Sequence, residues 1–94
     1  MKENLFVTKK HLIEDLKNAE DDLAKIIKSI KTKESDLWLN TEFRELGYTN
    51  KDTRRAYVDN QLSDLRYDEY LKKNEIQQLK REFDLVNDKL KLFI

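Results

Sequence analysis

Apolar side chains recur at alternating three- and four-residue intervals along two stretches of the chain. In the first stretch these positions are Leu12, Leu16, Ala19, Leu23, Ile26, Ile30 and Leu37. In the second they are Val58, Leu62, Leu65, Ile76, Leu79, Phe83, Val86, Leu90 and Phe93, interrupted by Glu69 and Lys72. This spacing is typical of a helix that buries one stripe against a partner helix. The pattern predicts two long helices, over residues 8–46 and 51–92.

The break between the two patterns contains the only glycine of the chain, Gly47, close to its midpoint. A helix often ends on a residue in the left-handed conformation, which glycine adopts freely, so Gly47 is predicted to terminate the first helix. Thr49 or Asn50 can cap the second helix, and Thr8 the first. Gly47, Asn50 and Arg54 are therefore expected to fix a bend at residues 47–50.

The two predicted helices match in length, which favours an antiparallel coiled-coil hairpin forming a single all-α domain over residues 1–94. Four residues lie away from its main stripe, at Tyr67, Leu71, Leu85 and Leu92. They are either scattered surface residues, which are normal, or a self-association face. We favour the second interpretation, a homodimer of hairpins forming a four-helix bundle, because an isolated two-helix hairpin has a thin core.

Charge and composition narrow the classes of function. Lys plus Arg and Asp plus Glu each number 19, so the chain lacks the basic excess of a typical nucleic-acid binder and the acidic excess of a DNA mimic. There is no Cys and hence no thiolate metal site. No apolar run approaches the ~18 residues of a membrane span. The apolar segment within residues 1–7 is too short for a signal peptide. We expect a cytoplasmic protein that does not bind membranes.

The residues offer little support for catalysis. His11 is the only histidine, and a metal site needs further converging ligands. The carboxylates alternate with Lys and Arg along predicted helix surfaces, where no cleft is expected to raise a carboxyl pKa. We therefore expect no enzyme activity, no cofactor, no metal and no small-molecule substrate.

Three basic residues gather at the start of the second helix, Lys51, Arg54 and Arg55. A helix N-terminus attracts anions, so this group could contact phosphate while an aromatic ring stacks on a base; the candidate rings are those of Trp38, Tyr48 and Tyr57. Alternatively, Arg54 or Arg55 pairs with an acidic residue before the bend, Glu42 or Glu45, and holds the bend together. Contact of Trp38 and Tyr57 with a partner protein is the third interpretation.

The first helix carries its charges in blocks, with five acidic residues before residue 23 and four lysines after it, at Lys25, Lys28, Lys31 and Lys33. Such blocks could set the register of an antiparallel partner. A solvated helix face explains them equally well.

The centre of the chain resembles a family of small helical proteins encoded by phages and prophages. The shared pattern is an Asn after a short turn, an Arg four residues later, then Ala and Leu, and an Asp-Glu-Tyr further on; here these are Asn50, Arg54, Ala56, Leu62 and residues 68–70. The resemblance covers residues 34–94, although the usual Gly-Lys-Asn turn is Gly-Tyr-Thr-Asn here. It implies a helical hairpin, a phage or prophage origin, and a link to replication or recombination of DNA. It supplies no catalytic residues.

Together these observations favour a non-enzymatic accessory protein that acts as a helical protein–protein interaction module, in DNA replication or recombination. Its contact surfaces would be the bend between Trp38 and Tyr57 or the row from Tyr67 to Leu92. Weak nucleic-acid binding through Lys51, Arg54 and Arg55 is the alternative. Inhibition of a host enzyme or defence complex is a third hypothesis.

Overall fold

The chain forms two long α-helices joined by a bend. A computed structural model describes residues 2–93; Met1 and Ile94, the ends of the predicted domain, lie outside the described residues. Helix α1 spans Lys2–Asn40 and helix α2 spans Lys51–Lys91. No β-strand occurs between residues 2 and 93. The structure thus confirms the all-α helical hairpin with two long arms.

The chain divides into two compact units, each built from a segment of both helices. The terminal unit contains the described residues up to Ala24 and from Leu71 onward. Its core is formed by Leu12, Val86 and Leu90. The ammonium of Lys9 lies 5.6 Å from the ring centre of Phe83. Leu12 of α1 packs with Val86 and Leu90, whereas Asp22, further along α1, lies 3.7 Å from Lys72, so the helices are antiparallel in this unit.

The central unit spans Lys25–Tyr70 and has its own core. Phe43, Val58 and Leu62 are buried there, and the last two have no exposed surface. Lys33, which interrupts the α1 stripe, reaches across to α2, where its Nζ donates a hydrogen bond to the carbonyl oxygen of Gln61 (2.8 Å). The ammonium group of Lys33 thereby has a hydrogen-bond acceptor at the exposed edge of the helix pair.

Helix α1 begins earlier than its sequence pattern predicts. Thr8 was expected to be its N-cap, yet the helix starts at Lys2. Thr8 Oγ1 instead donates to the carbonyl oxygen of Asn4, one turn earlier (2.9 Å). Leu5 packs against the core of the terminal unit, and this burial accounts for the additional turns, since most helical stability in proteins comes from packing of an apolar face.

The same helix also ends earlier than predicted, at Asn40 rather than near residue 46. Asn and Thr at positions 40 and 41 are poor helix formers because their side chains compete for nearby backbone groups. Leaving the helix there accompanies burial of Phe43 with Val58 and Leu62. The bend therefore occupies residues 41–50 instead of 47–50.

Gly47 closes a short helical turn inside this bend. Its φ is 84°, the left-handed region. The Gly47 N–H donates to the carbonyl of Arg44 (3.1 Å), and the Tyr48 N–H donates to that of Phe43 (2.9 Å). These two bonds are the pattern of a Schellman motif, and Tyr48 packs against the cluster containing Phe43, as such motifs favour. Gly47 thus has the predicted conformation but terminates residues 43–46 rather than α1.

Helix α2 starts where its cap residue predicts. Asn50 Oδ1 accepts a hydrogen bond from the Thr53 N–H (2.8 Å), the geometry of an N-cap. Asp52 lies in the first turn, where the helix dipole favours a negative charge. The helix ends at Lys91, one residue before the predicted position. Phe93 was predicted on the buried stripe but lies beyond the helix, 48% exposed.

Candidate interaction surfaces

Four aromatic rings gather around the bend in the central unit. The ring centres of Trp38 and Phe43 lie 5.6 Å apart, and those of Tyr48 and Tyr57 lie 5.3 Å apart. Phe43 meets Tyr57 edge to face at 6.1 Å. Each ring therefore contacts at least one other ring, and such pairs add to the stabilisation from burial. The sequence-predicted contact residues Trp38 and Tyr57 are both half-buried members of this cluster.

Arg54 is held by the bend itself. Its Nε donates a hydrogen bond to the carbonyl oxygen of Tyr48 (3.0 Å), and its guanidinium carbon lies 5.4 Å from the ring centre of Phe43. A guanidinium placed over an aromatic face is attracted by the ring quadrupole. Arg54 consequently links the first turn of α2 to the residue that follows Gly47.

Arg55 of α2 contacts two residues of α1. Its Nη1 lies 3.5 Å from Glu34 Oε1, and its guanidinium carbon lies 5.7 Å from the Trp38 ring centre. The acidic partner is therefore Glu34 of α1 and not Glu42 or Glu45, because the bend begins earlier than predicted. Glu34 and Trp38 stand four residues apart on one helix, a spacing that could have identified them as one contact surface.

The three residues of the predicted basic group differ in their contacts. Lys51 is exposed at the N-terminus of α2, whereas Arg54 and Arg55 both contact groups of the chain. The bend brings the two arginines to Phe43 and Trp38 respectively. The side chain of Arg55 is still 56% exposed despite its contacts, whereas that of Arg54 is half-buried.

The predicted outer row on α2 is exposed at each of its positions. Tyr67 belongs to the central unit; Leu71, Leu85 and Leu92 belong to the terminal unit, where Leu92 is 84% exposed. Sequence reasoning missed Tyr70, whose ring stacks on that of Tyr67 at 6.2 Å. A three-residue spacing on a helix brings side chains together, so this pair was detectable from the sequence.

Two further exposed leucines were not singled out from the sequence. Leu39, at the end of α1, is 81% exposed, and Leu46, in the bend, is 52% exposed. Both lie within the first helix as predicted, residues 8–46. Helix α1 ends at Asn40, so Leu46 is not part of it, and neither side chain belongs to the buried cluster around Phe43.

An ion-pair network occupies the polar interruption of the α2 stripe. Lys72 Nζ lies 2.7 Å from Glu75 Oε2 and 3.7 Å from Asp22 Oδ2 of α1. The hydrogen bond with Glu75, followed by the attraction of both carboxylates, raises the pKa of Lys72 above its ordinary value of 10.5. Partial burial acts in the opposite direction but does not prevail. Lys72 therefore joins the two helices within the terminal unit.

The structure offers shallow grooves along helix surfaces. One lies on the α1 face of the central unit, with a volume of about 530 Å³. His11 is exposed on α1, and no group of three metal-ligating side chains is found among those described in residues 4–93. Within that same range, neither helix contains a segment long and apolar enough to cross a membrane.

Comparison with known proteins gives no relative. No family model matches the chain, and neither the curated proteins nor the solved structures yield a match.

Proposed function

We propose that this chain is a non-enzymatic protein–protein interaction module that works through exposed apolar residues of its helices. The observation that carries the proposal is the exposure of Leu71 and Leu85 on α2 of the terminal unit, with Leu92 exposed directly after the end of the helix. Fully burying a leucine side chain stabilises an assembly by about 1.5–3 kcal/mol. Burial of these side chains would therefore provide a driving force for association.

The first partner we propose is a second copy of the chain. In each unit only one segment of α1 covers one stripe of α2. A second hairpin would cover the outer leucines and convert two helices into a four-helix bundle, an arrangement with a much thicker core. Homodimers with two-fold symmetry are the commonest oligomers, which supports this partner.

The Leu71→Glu, Leu85→Glu double variant tests self-association. We expect the wild-type protein to sediment as a dimer and the variant as a monomer, because two carboxylates would have to be buried without partners in the interface. Analytical ultracentrifugation measures the mass, and circular dichroism checks that the helical content persists.

The matched control is Asn18→Glu with Thr32→Glu, which places two new carboxylates at the same separation on exposed positions of α1. This control should remain dimeric. A wild-type monomer, or a leucine variant that stays dimeric while helical, would contradict self-association through these leucines.

The wider setting that we propose is a phage or prophage accessory role, in replication or recombination of DNA. It is supported by the resemblance around Asn50 and Arg54. A small interaction module could equally act on a host enzyme or defence complex, and the same surfaces would then bind the target.

Direct nucleic-acid binding is the alternative function. The exposed ammonium of Lys51 at the N-terminus of α2 favours it, since helix N-termini attract phosphate. Arg54 and Arg55 contact Phe43 and Trp38 within the chain. Protein binding therefore has the stronger support.

A further inference from the structure

A shallow groove on α1 of the central unit combines an apolar centre with charged side chains at its edge. It is lined by Lys31, Glu34, Ser35, Trp38 and Leu39, and its volume is about 530 Å³. These residues follow helical spacing, so they form one continuous face of α1. Lys28 lines a neighbouring groove of α1 and lies two turns before Ser35, so it flanks this face.

The acidic residues in and beside this groove, Glu34 and Asp36, already have partners. Glu34 pairs with Arg55, and Asp36 accepts a hydrogen bond from Asn40 Nδ2 (2.6 Å). In contrast, Lys28 and Lys31 are exposed and have no carboxylate partner in the part of the chain that the structure describes. The face therefore presents two exposed ammonium groups that form no ion pair with the side chains described in residues 4–93.

The apolar part of the face suits an aliphatic anchor better than a nucleic-acid base. The Trp38 ring is already in contact with Phe43 and with the Arg55 guanidinium. Base recognition by stacking needs a free aromatic face. Leu39 is 81% exposed beside it and adds an aliphatic surface. A partner with apolar side chains would cover Leu39 and the accessible edge of Trp38.

We propose that this groove binds an acidic amphipathic helix of a partner protein, with apolar side chains on Trp38 and Leu39 and carboxylates beside Lys28 and Lys31. This inference rests on the proposed function and specifies the chemistry of a partner for it. Helices commonly bind grooves through apolar residues one and two turns apart, and complementary charges set their orientation.

The sole tryptophan of the chain makes the test direct, because Trp38 emission reports on the groove itself. The probe is a synthetic peptide of about 15 residues, long enough to form a helix, with leucines on one face and glutamates on the other. A second peptide replaces each glutamate with lysine. The glutamate peptide should shift Trp38 emission saturably and bind more weakly as salt is added. The lysine peptide should not bind.

Two variants locate the binding site. Lys28→Glu with Lys31→Glu should weaken the glutamate peptide about tenfold or more, since attraction becomes repulsion. Leu39→Ala should weaken it by about tenfold, because a buried apolar contact is lost. The control, Lys10→Glu with Lys17→Glu, makes the same charge change elsewhere on α1 and should stay within about twofold of wild type.

The proposal is overturned if the two peptides bind equally, if the lysine reversals leave affinity unchanged, or if neither peptide binds. Single-stranded oligothymidylate is tested on the same proteins. If the oligonucleotide shifts Trp38 emission and the glutamate peptide does not bind, the groove is a nucleic-acid site and the proposal is overturned. If the wild-type protein is a dimer that does not bind the peptide, only the groove proposal is refuted. A monomeric wild type that binds the peptide refutes only self-association.

Discussion

Gly47 closes the turn within the bend, with a φ of 84° that is disfavoured for residues with a Cβ. A Cβ built at this position meets no atom within 4 Å, so a larger side chain would not clash. Gly47→Ala should therefore lower the free energy of unfolding by about 1 kcal/mol through backbone strain alone. Gly47→Asn should cost less, since Asn tolerates this region better. Urea unfolding followed by circular dichroism measures both.

Glu45→Ala is a suitable control for Gly47, because it lies in the same turn, is exposed and has an ordinary φ. It should change the free energy of unfolding by less than about 0.5 kcal/mol. A Gly47→Ala protein as stable as the wild type would show that the left-handed conformation is not required at the bend.

At the residue scale, local chemistry was predictable and distant contacts were not. The left-handed Gly47 and the capping Asn50 follow from rules that involve only neighbouring residues. The hydrogen bond from Arg54 to the Tyr48 carbonyl depends on how far the chain turns before α2 begins. The pairing of Arg55 with Glu34 depends on the packing of α1 against α2. No local pattern specifies either contact.

At the scale of elements, Lys72 connects α1 and α2 in a pH-dependent way. Its pKa is raised in the folded chain by Glu75 and Asp22. A raised pKa means that the charged form is favoured by folding, so its contribution is complete below the ordinary value of 10.5. That contribution is lost as the pH rises through the higher folded-state pKa. The ion-pair network therefore stabilises the protein at neutral pH and ceases to do so in strong alkali.

Lys72→Met tests this dependence. The variant should be less stable than the wild type at neutral pH, and the difference should shrink as the pH passes above 10.5, the ordinary lysine value. Thermal unfolding at several pH values measures it. Lys80→Met removes an exposed lysine of α2 and should show no such convergence. A Lys72→Met difference that is constant with pH would exclude a role for the lysine charge.

Helix type and spacing were predictable at this scale, while the ends of α1 were not. The 3-4 spacing identified both helices, and α2 begins at the predicted Lys51. Helix α1 is displaced toward the N-terminus because Leu5 gains a packed environment and Phe43 leaves the helix for the Val58–Leu62 core. Burial of distant residues thus outweighed the cap signal at Thr8 and the termination signal at Gly47.

For the whole molecule, self-association predicts that thermal stability depends on protein concentration. When the folded state is a dimer, raising the concentration shifts the equilibrium toward it by mass action. A tenfold increase should raise Tm by about 3 °C for two chains of this size. Differential scanning calorimetry at several concentrations measures the shift. The Leu71→Glu, Leu85→Glu variant should have a Tm that does not change with concentration.

A wild-type Tm that is independent of concentration would contradict a folded dimer. The control pair, Asn18→Glu with Thr32→Glu, should retain the concentration dependence of the wild type. Agreement between calorimetry and sedimentation would then connect the exposed leucines of α2 to the assembly.

The sequence alone determined that this is an all-α hairpin, because helical periodicity, absence of proline and a single central glycine are local properties that act independently of the final packing. Only the tertiary structure decided which side chains near the bend make contacts within the chain. Trp38 and Tyr57 are half-buried in the aromatic cluster. Arg54 contacts Phe43, and Arg55 contacts Trp38 and Glu34. Helix α1 ends at Asn40 because Phe43 is buried with Val58 and Leu62, and Leu39 in its last turn stays exposed in the groove that Lys31 also lines.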